Sequence, residues 1–145
     1  MENEVLTADD YASVRRATEL LSVKYLHPMT LNARLEAWAE LVRDIEEGFD
    51  VLWAWEFDND IADRDWLHDA WPLLTERVRR LRRPELEALD TRFRAATAPI
   101  TPLGMSGSAM AEREEWWRFR YPLRVTGDET TPLPPTWSPP PTFIG

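Results

Sequence analysis

The sequence has no cysteine, a single lysine and only two histidines among its 145 residues. Without cysteine there is no disulfide framework, no thiolate nucleophile and no cysteine-ligated metal. The histidines, His27 and His68, would need carboxylates to complete a zinc centre, and each is more simply interpreted as a loop or surface residue. The composition therefore predicts no cofactor and no metal.

Long uncharged stretches are also missing. The longest, residues 95–111, is interrupted by prolines and glycines, so the sequence predicts no helix that spans a membrane. The first ten residues, MENEVLTADD, are acidic and lack the basic and apolar parts of a secretion signal. We therefore expect a cytoplasmic location, and a chain of this length is expected to form one domain.

Acidic side chains outnumber basic ones by nine, and the excess lies in the first half of the chain. Residues 1–70 carry 17 acidic and 6 basic side chains, whereas residues 71–145 carry 9 acidic and 11 basic ones. An acidic half repels phosphate backbones, so we expect no nucleic-acid partner. The same charge attracts a basic protein surface.

Helix signals recur along most of the chain. Thr7 and Thr30 are N-cap candidates, each followed by apolar residues at spacings of three and four. Gly48 is typical of a helix end, and Pro84 suits the first turn of a further helix. A last helix is predicted from Ala109 to about Arg120. The sequence therefore predicts an all-α, single-domain bundle of five or six helices.

Two stretches alternate between apolar and polar residues, a pattern typical of β-strands that allows a second fold. They are residues 49–57 and 117–125. The alternative is therefore an α+β fold with a small hairpin made from these two stretches. We favour the helical interpretation of residues 49–57, because no other strong strand candidate lies nearby and an isolated strand leaves its backbone groups unpaired.

The helical domain is expected to span residues 6–122, and residues 123–145 are expected to form an extended proline-rich tail. Six prolines lie between residues 126 and 145, and no periodicity is visible there. We expect Trp137 and Phe143 to hold the tail across an apolar groove of the domain.

The stretch from Phe49 to Leu67, FDVLWAWEFDNDIADRDWL, combines large apolar side chains with the densest group of carboxylates. The candidate binding residues in it are Trp53, Trp55, Glu56, Asp58, Asp60, Arg64 and Trp66. On a helix, Glu56, Asp60 and Arg64 would follow one another at intervals of one turn. Two interpretations stay open. Either Arg64 forms a buried bridge to Asp60 or Glu56 that determines how two helices meet, or the cluster is a site.

Exposed tryptophan and arginine are typical anchors of protein interfaces, and eight tryptophans exceed what one core of this size needs. The first functional hypothesis is a non-enzymatic protein-binding domain whose acidic, tryptophan-rich face neutralises a basic partner, as immunity proteins do. The second is a homo-oligomeric structural protein, in which the extra tryptophans pack a homodimer. The expected partner is therefore another protein or a second copy of the chain.

A third hypothesis is enzymatic. Asp44-Ile-Glu-Glu47 and Glu56-Phe-Asp-Asn59 resemble the paired acidic segments of all-helical, Mg²⁺-dependent nucleotide pyrophosphohydrolases. On this hypothesis Glu47, Glu56 and Asp60 are the residues to test. Asp44 and Asn59 depart from the glutamate and aspartate of that pattern, and the two segments lie close together. An enzyme is therefore the less favoured interpretation, and no catalytic residue is assigned.

Segments Glu56–Ile61, Arg64–Leu67 and Leu89–Thr97, together with the Trp116-Trp117 pair, resemble a group of small, uncharacterised helical bacterial proteins of actinobacterial type. The resemblance covers roughly residues 35–122. It implies a compact helical domain and no particular activity.

Overall fold

The computed structural model describes residues 5–26, 29–100 and 115–145. Within these ranges the α-helices are α1 (Ala8–Tyr25), α2 (Leu31–Glu47), α3 (Phe57–Asp60), α4 (Ala62–Ala70) and α5 (Glu76–Ala96). Because α3 is a single turn, the main helices of the described chain are the other four. Short 3₁₀ segments lie at Val51–Glu56, Trp71–Leu73 and Trp116–Phe119. None of the described helices has the length and apolar character that a membrane span needs.

Five short strands form two small sheets in the described part of the chain. They are β1 (Phe49–Asp50), β2 (Thr97–Pro99), β3 (Arg120–Pro122), β4 (Arg124–Thr126) and β5 (Thr142–Phe143). Strand β4 lies between β1 and β5 and is parallel to both, and β2 is antiparallel to β3. The predicted bundle of five or six helices is therefore wrong, because four main helices combine with two sheets.

The predicted starts of the first two helices are confirmed. The Thr7 hydroxyl accepts a hydrogen bond from the Asp10 amide, and the Asp10 carboxylate accepts one from the Thr7 amide, which makes a capping box. Thr30 caps α2 by accepting a bond from the Ala33 amide. The predicted apolar stripe of α2 is buried at Leu31, Leu35, Trp38, Val42 and Ile45. Through this stripe α2 packs against α4 and α5.

The later helix predictions differ from the structure. Pro84 does not begin a helix but lies inside α5, whose N-cap is Thr75. The apolar face of α5 continues through the proline with Val78, Leu86, Leu89 and Phe93, all buried. The packing of this face offsets the backbone hydrogen bond that proline cannot donate. Residues 109–114 of the predicted last helix lie outside the described residues, and its remainder forms a 3₁₀ segment that leads into β3.

The stretch from Phe49 to Asp60 is neither one helix nor one strand, since β1 leads into a 3₁₀ segment and then α3. Its buried side chains after β1 recur every three residues, at Val51, Ala54 and Phe57. A 3₁₀ helix has three residues per turn, so this spacing places all three on the inner side. Trp53 and Trp55 consequently face outward.

Gly48 allows the chain to turn from α2 into β1. Its φ of 111° is readily adopted by glycine, and a Cβ there would lie 2.7 Å from the side chains of Ile144 and Thr126. Strand β1 then pairs with β4, with Phe49 opposite Val125. The α+β alternative predicted that these two stretches pair, but its antiparallel hairpin is wrong because the strands are parallel.

The predicted packing of Trp137 is confirmed, since its indole is buried in the core. Its ring centroid lies between 5.6 and 6.3 Å from those of Phe49, Phe57 and Tyr121. Phe143 in β5 packs against the same core. Residues 123–145, expected to be an extended tail, thus contribute two strands and a core aromatic ring to the fold.

Candidate functional site

The structure separates the seven predicted binding residues into an inner and an outer group. Trp66 is fully buried and Arg64 is only 7% exposed, so both belong to the core side of α4. The outer group consists of Trp53, Trp55, Glu56 and Asp58, which are exposed, and Asp60, which is half-buried. A surface site can therefore include only the outer group.

Arg64 forms a buried bridge, but its partner is Asp90 of α5. Its Nε and Nη2 atoms donate to the two Asp90 carboxylate oxygens at 2.9 and 3.0 Å. The Trp38 indole N–H donates to the same carboxylate at 3.2 Å. The guanidinium carbon of Arg64 lies 4.2 Å from the ring centroid of Trp117. These contacts hold α4 against α5 and α2.

The predicted bridge from Arg64 to Asp60 or Glu56 is wrong because the helical spacing does not continue between them. The chain passes from a 3₁₀ segment into the single turn α3, and Ile61 separates that turn from α4. As a result Arg64 lies on the core side while Asp60 lies beside the solvent. The structure therefore divides the cluster into a structural arginine and a separate group of carboxylates.

A cavity of about 320 Å³ opens beside Trp53, between α2 and the segment that leads into α4. Its lining residues are Ala37, Glu40, Leu41, Asp44, Phe49, Trp53, Asp60 and Asp63. Four of these eight side chains are carboxylates, and they come from α2, α3 and α4. The Trp53 indole, 49% exposed, forms part of the wall.

Only one cavity carboxylate forms an ion pair with a described basic side chain. Asp63 accepts a hydrogen bond from Arg34 Nη1 at 2.7 Å, whereas Glu40, Asp44 and Asp60 have no such pair in the described ranges. Burial, reinforced by neighbouring carboxylates, raises the pKa of Asp60. Burial also raises the pKa of Asp63, although Arg34 acts in the opposite direction. The cavity therefore carries a surplus of negative charge.

Trp55 belongs to the same 3₁₀ segment as Trp53 and is 62% exposed. Its indole N–H donates to the Pro132 carbonyl oxygen at 2.8 Å, which orients the ring against the C-terminal segment. We give the name acidic aromatic face to the outer group of predicted binding residues together with the two α2 carboxylates of the cavity, and define it by Glu40, Asp44, Trp53, Trp55, Glu56, Asp58 and Asp60. It presents two indoles among five carboxylates.

The sequence pattern assigned neither Glu40 nor Asp63 to a site, and it placed Asp44 only in an acidic segment of the Mg²⁺ hypothesis. Glu40 and Asp44 are four residues apart on the exposed side of α2, a pattern typical of a solvated helix surface. Their proximity to Trp53 depends on the turn at Gly48, which brings the following segment back against α2. No local pattern in the sequence predicts the direction in which the chain turns after α2.

The cavity carboxylates do not form a recognisable metal site. Within the described ranges, no group of three or more histidine, aspartate or glutamate side chains is arranged to hold a metal ion. Glu47 and Asn59, which belong to the Mg²⁺ hypothesis, are exposed and do not line the cavity. What the cavity offers is carboxylate oxygens and an indole face, both of which attract organic cations.

We predict that Asp60→Asn raises the midpoint of thermal unfolding at pH 7. Because the pKa of Asp60 is raised in the folded chain, the native state favours the protonated carboxyl, and its contribution to stability decreases as the pH rises through that pKa. The neutral amide removes this cost. The advantage should disappear below the ordinary pKa of 3.8, where the wild-type carboxyl is protonated in both states. Calorimetry at both pH values measures the difference.

The matched control for this prediction is Asp58→Asn, which changes an exposed carboxylate two residues away. It should leave the midpoint nearly unchanged, since surface substitutions usually have small effects. A lower midpoint for Asp60→Asn than for the wild type at pH 7 would show that the carboxylate is stabilising.

No known protein family matches the chain, and no curated protein or solved structure matches it. The geometry of the acidic aromatic face is thus the basis for a functional proposal.

Proposed function

We propose that the protein is a non-enzymatic binding domain that docks on a basic surface of another protein through the acidic aromatic face. The observation that carries this proposal is the exposed Trp53 indole on the wall of a cavity with three carboxylates that form no ion pair within the described residues. Large exposed aromatic side chains are typical anchors of interfaces. Their combination here with surplus negative charge supports a basic partner.

Long-range electrostatics supports the same partner class. The chain carries a net charge of −9, and the acidic aromatic face lies in its acidic half. A negative face accelerates encounter with a positive surface and suppresses binding to acidic proteins. The biological role that we propose is neutralisation of a basic protein by covering its functional surface, as immunity proteins do.

Trp53 and Trp55 serve as the anchors in this proposal. Each tryptophan side chain can bury roughly 150–250 Å² in an interface. The hydrogen bond from Trp55 to the Pro132 carbonyl holds the Trp55 ring in place before binding. The side chain therefore loses less conformational freedom when the partner binds.

Pairing of this face with a second copy of itself is disfavoured. A two-fold interface places the same patch on both subunits, so the five carboxylates of one face would meet the five of the other. Like charges that are brought together and desolvated in an interface reduce the binding free energy by roughly several kcal/mol. The charge distribution therefore favours a different, basic protein over a homodimer through these tryptophans.

We expect tagged protein to retain a specific basic protein from a lysate of its own host cells. Trp53→Ala should reduce the retained amount by about tenfold or more, because truncation of an aromatic anchor typically costs about 2 kcal/mol or more. Quantitative mass spectrometry of the bound fraction measures the effect.

The matched control is Tyr11→Ala, which removes an exposed aromatic side chain from α1. It should retain the same partner as the wild type. Recovery of the tagged protein alone would argue against partner neutralisation. Equal loss in the two variants would show that binding does not involve the acidic aromatic face.

A further inference from the structure

The chain holds two of its own arginines in the same kind of surroundings, between a carboxylate and an indole. Arg34 donates to Asp63 at 2.7 Å, and its guanidinium carbon lies 5.6 Å from the ring centroid of Trp66. Arg64 is bound in the same manner by Asp90 and lies 4.2 Å from an indole centroid. Both arginines are buried. In this fold a carboxylate and an indole together hold a guanidinium group away from water.

The cavity beside Trp53 repeats these surroundings, but no arginine is among its described lining residues. Glu40, Asp44 and Asp60 supply carboxylates, and none of them forms an ion pair with a described basic side chain. Arg34 neutralises only Asp63 and is itself buried. The volume of about 320 Å³ lies within the usual range of ligand sites, roughly 300–1,000 Å³.

We infer that this cavity receives the guanidinium group of an arginine side chain from the partner protein. The inference rests on the proposed function, because it names the group that the acidic aromatic face recognises. The incoming cation would stack on Trp53 and donate hydrogen bonds to carboxylates from α2 and α3. Burial, and after it the charges of neighbouring carboxylates, raise the pKa of Asp60, and a cation in the cavity would offset both effects.

Arginine suits the cavity better than lysine for a geometric reason. A guanidinium group is planar, so it can lie flat on the Trp53 ring while its five N–H donors point toward different walls. The carboxylates of the cavity are distributed over separate walls in this way, since they come from different helices. A lysine ammonium group is a compact point charge that holds its water more strongly.

Titration with small arginine compounds tests the cavity without the partner. N-acetyl-arginine amide, N-acetyl-lysine amide and uncharged N-acetyl-citrulline amide are added to the full-length protein at constant ionic strength. NMR follows the Trp53 indole N–H and the Asp60 side chain. We expect the arginine amide to shift both signals, the lysine amide to bind about two- to fivefold more weakly, and the citrulline amide to shift neither.

Two variants show whether the shifts come from the cavity. Asp60→Asn should weaken binding of the arginine amide by about two- to fivefold, the usual range for one exposed charge pair. Because this variant is expected to be more stable than the wild type, unfolding cannot account for its loss of binding. Tyr11→Ala should bind the arginine amide as the wild type does.

Two results would overturn the arginine assignment. They are a Trp53 signal that does not respond, and equal responses to the arginine, lysine and citrulline amides. A failure of the proposed function can be distinguished from a failure of the arginine assignment. In that case the arginine amide would bind to the cavity, but the host lysate would yield no partner. The opposite result is that the protein does not bind the arginine amide but retains a partner through Trp53. It would support the proposed function and contradict the assignment of the cavity to an arginine side chain.

Discussion

Arg64→Ala should lower the free energy of unfolding by about 3–5 kcal/mol. The substitution leaves the Asp90 carboxylate, which is largely buried at the junction of α4 and α5, without the two hydrogen bonds that Arg64 donates. The Trp38 N–H bond alone does not neutralise the stranded charge. The guanidinium also covers the Trp117 ring, so the substitution removes packing as well as charge. Urea unfolding of both proteins measures the loss.

The matched control is Arg92→Ala, which removes an arginine from a solvent-exposed pair with Glu46 on α2. Exposed pairs contribute about 1 kcal/mol or less, so this variant should unfold close to the wild-type midpoint. The comparison separates the buried bridge between α4 and α5 from an ordinary surface bridge between α5 and α2. Equal, small losses in the two variants would show that the Arg64 bridge is not a structural element.

Trp137→Ala is expected to lower the free energy of unfolding by about 3–5 kcal/mol, the usual cost of truncating a buried aromatic side chain. The ring lies in a cluster with Phe49, Phe57 and Tyr121. Its removal leaves a cavity beneath β1 and loosens the connection between β4 and β5. Limited proteolysis should then cut near the C-terminus faster, and urea unfolding measures the stability.

Trp55→Ala is the control for this effect, because Trp55 is also held by the C-terminal segment but is exposed. It loses one hydrogen bond, to the Pro132 carbonyl, which contributes about 1 kcal/mol. If Trp137→Ala is as stable as Trp55→Ala, the C-terminal residues are not part of the core.

The first two helices could be predicted from the sequence because their determinants lie close together in the chain. Thr7 and Thr30 cap amides three residues away, and the apolar stripe of α2 repeats over successive turns. Such signals depend on neighbours within one or two turns, so they do not require knowledge of the tertiary structure.

The sheets could not be predicted from local patterns. Strands of two or three residues have little stability of their own, and each forms here because a distant segment pairs with it. Phe49 lies opposite Val125, and Thr142 lies opposite Arg124. For residues 49–57 the sequence pattern allowed a strand or a helix. The structure has a 3₁₀ segment there, because its conformation depends on how Val51, Ala54 and Phe57 pack against the core.

The candidate site was predictable in part. An excess of tryptophan predicts some exposed indoles, and Trp53 and Trp55 are exposed. The sequence could not show that Trp66 is buried, because that depends on which side of α4 the other helices cover. It also could not place Glu40 beside Trp53, since that contact follows from tertiary packing at the turn after α2.

The affinity of the retained partner at increasing salt concentration is the most direct measurement of binding through the acidic aromatic face. Wild-type protein and an Asp44→Asn, Asp60→Asn double variant are compared by isothermal titration calorimetry. We predict that wild-type affinity falls as salt screens the charges, while the double variant binds more weakly at low salt and shows a smaller salt dependence. Equal affinities and equal salt dependences for the two proteins would contradict a role for these carboxylates in recognition.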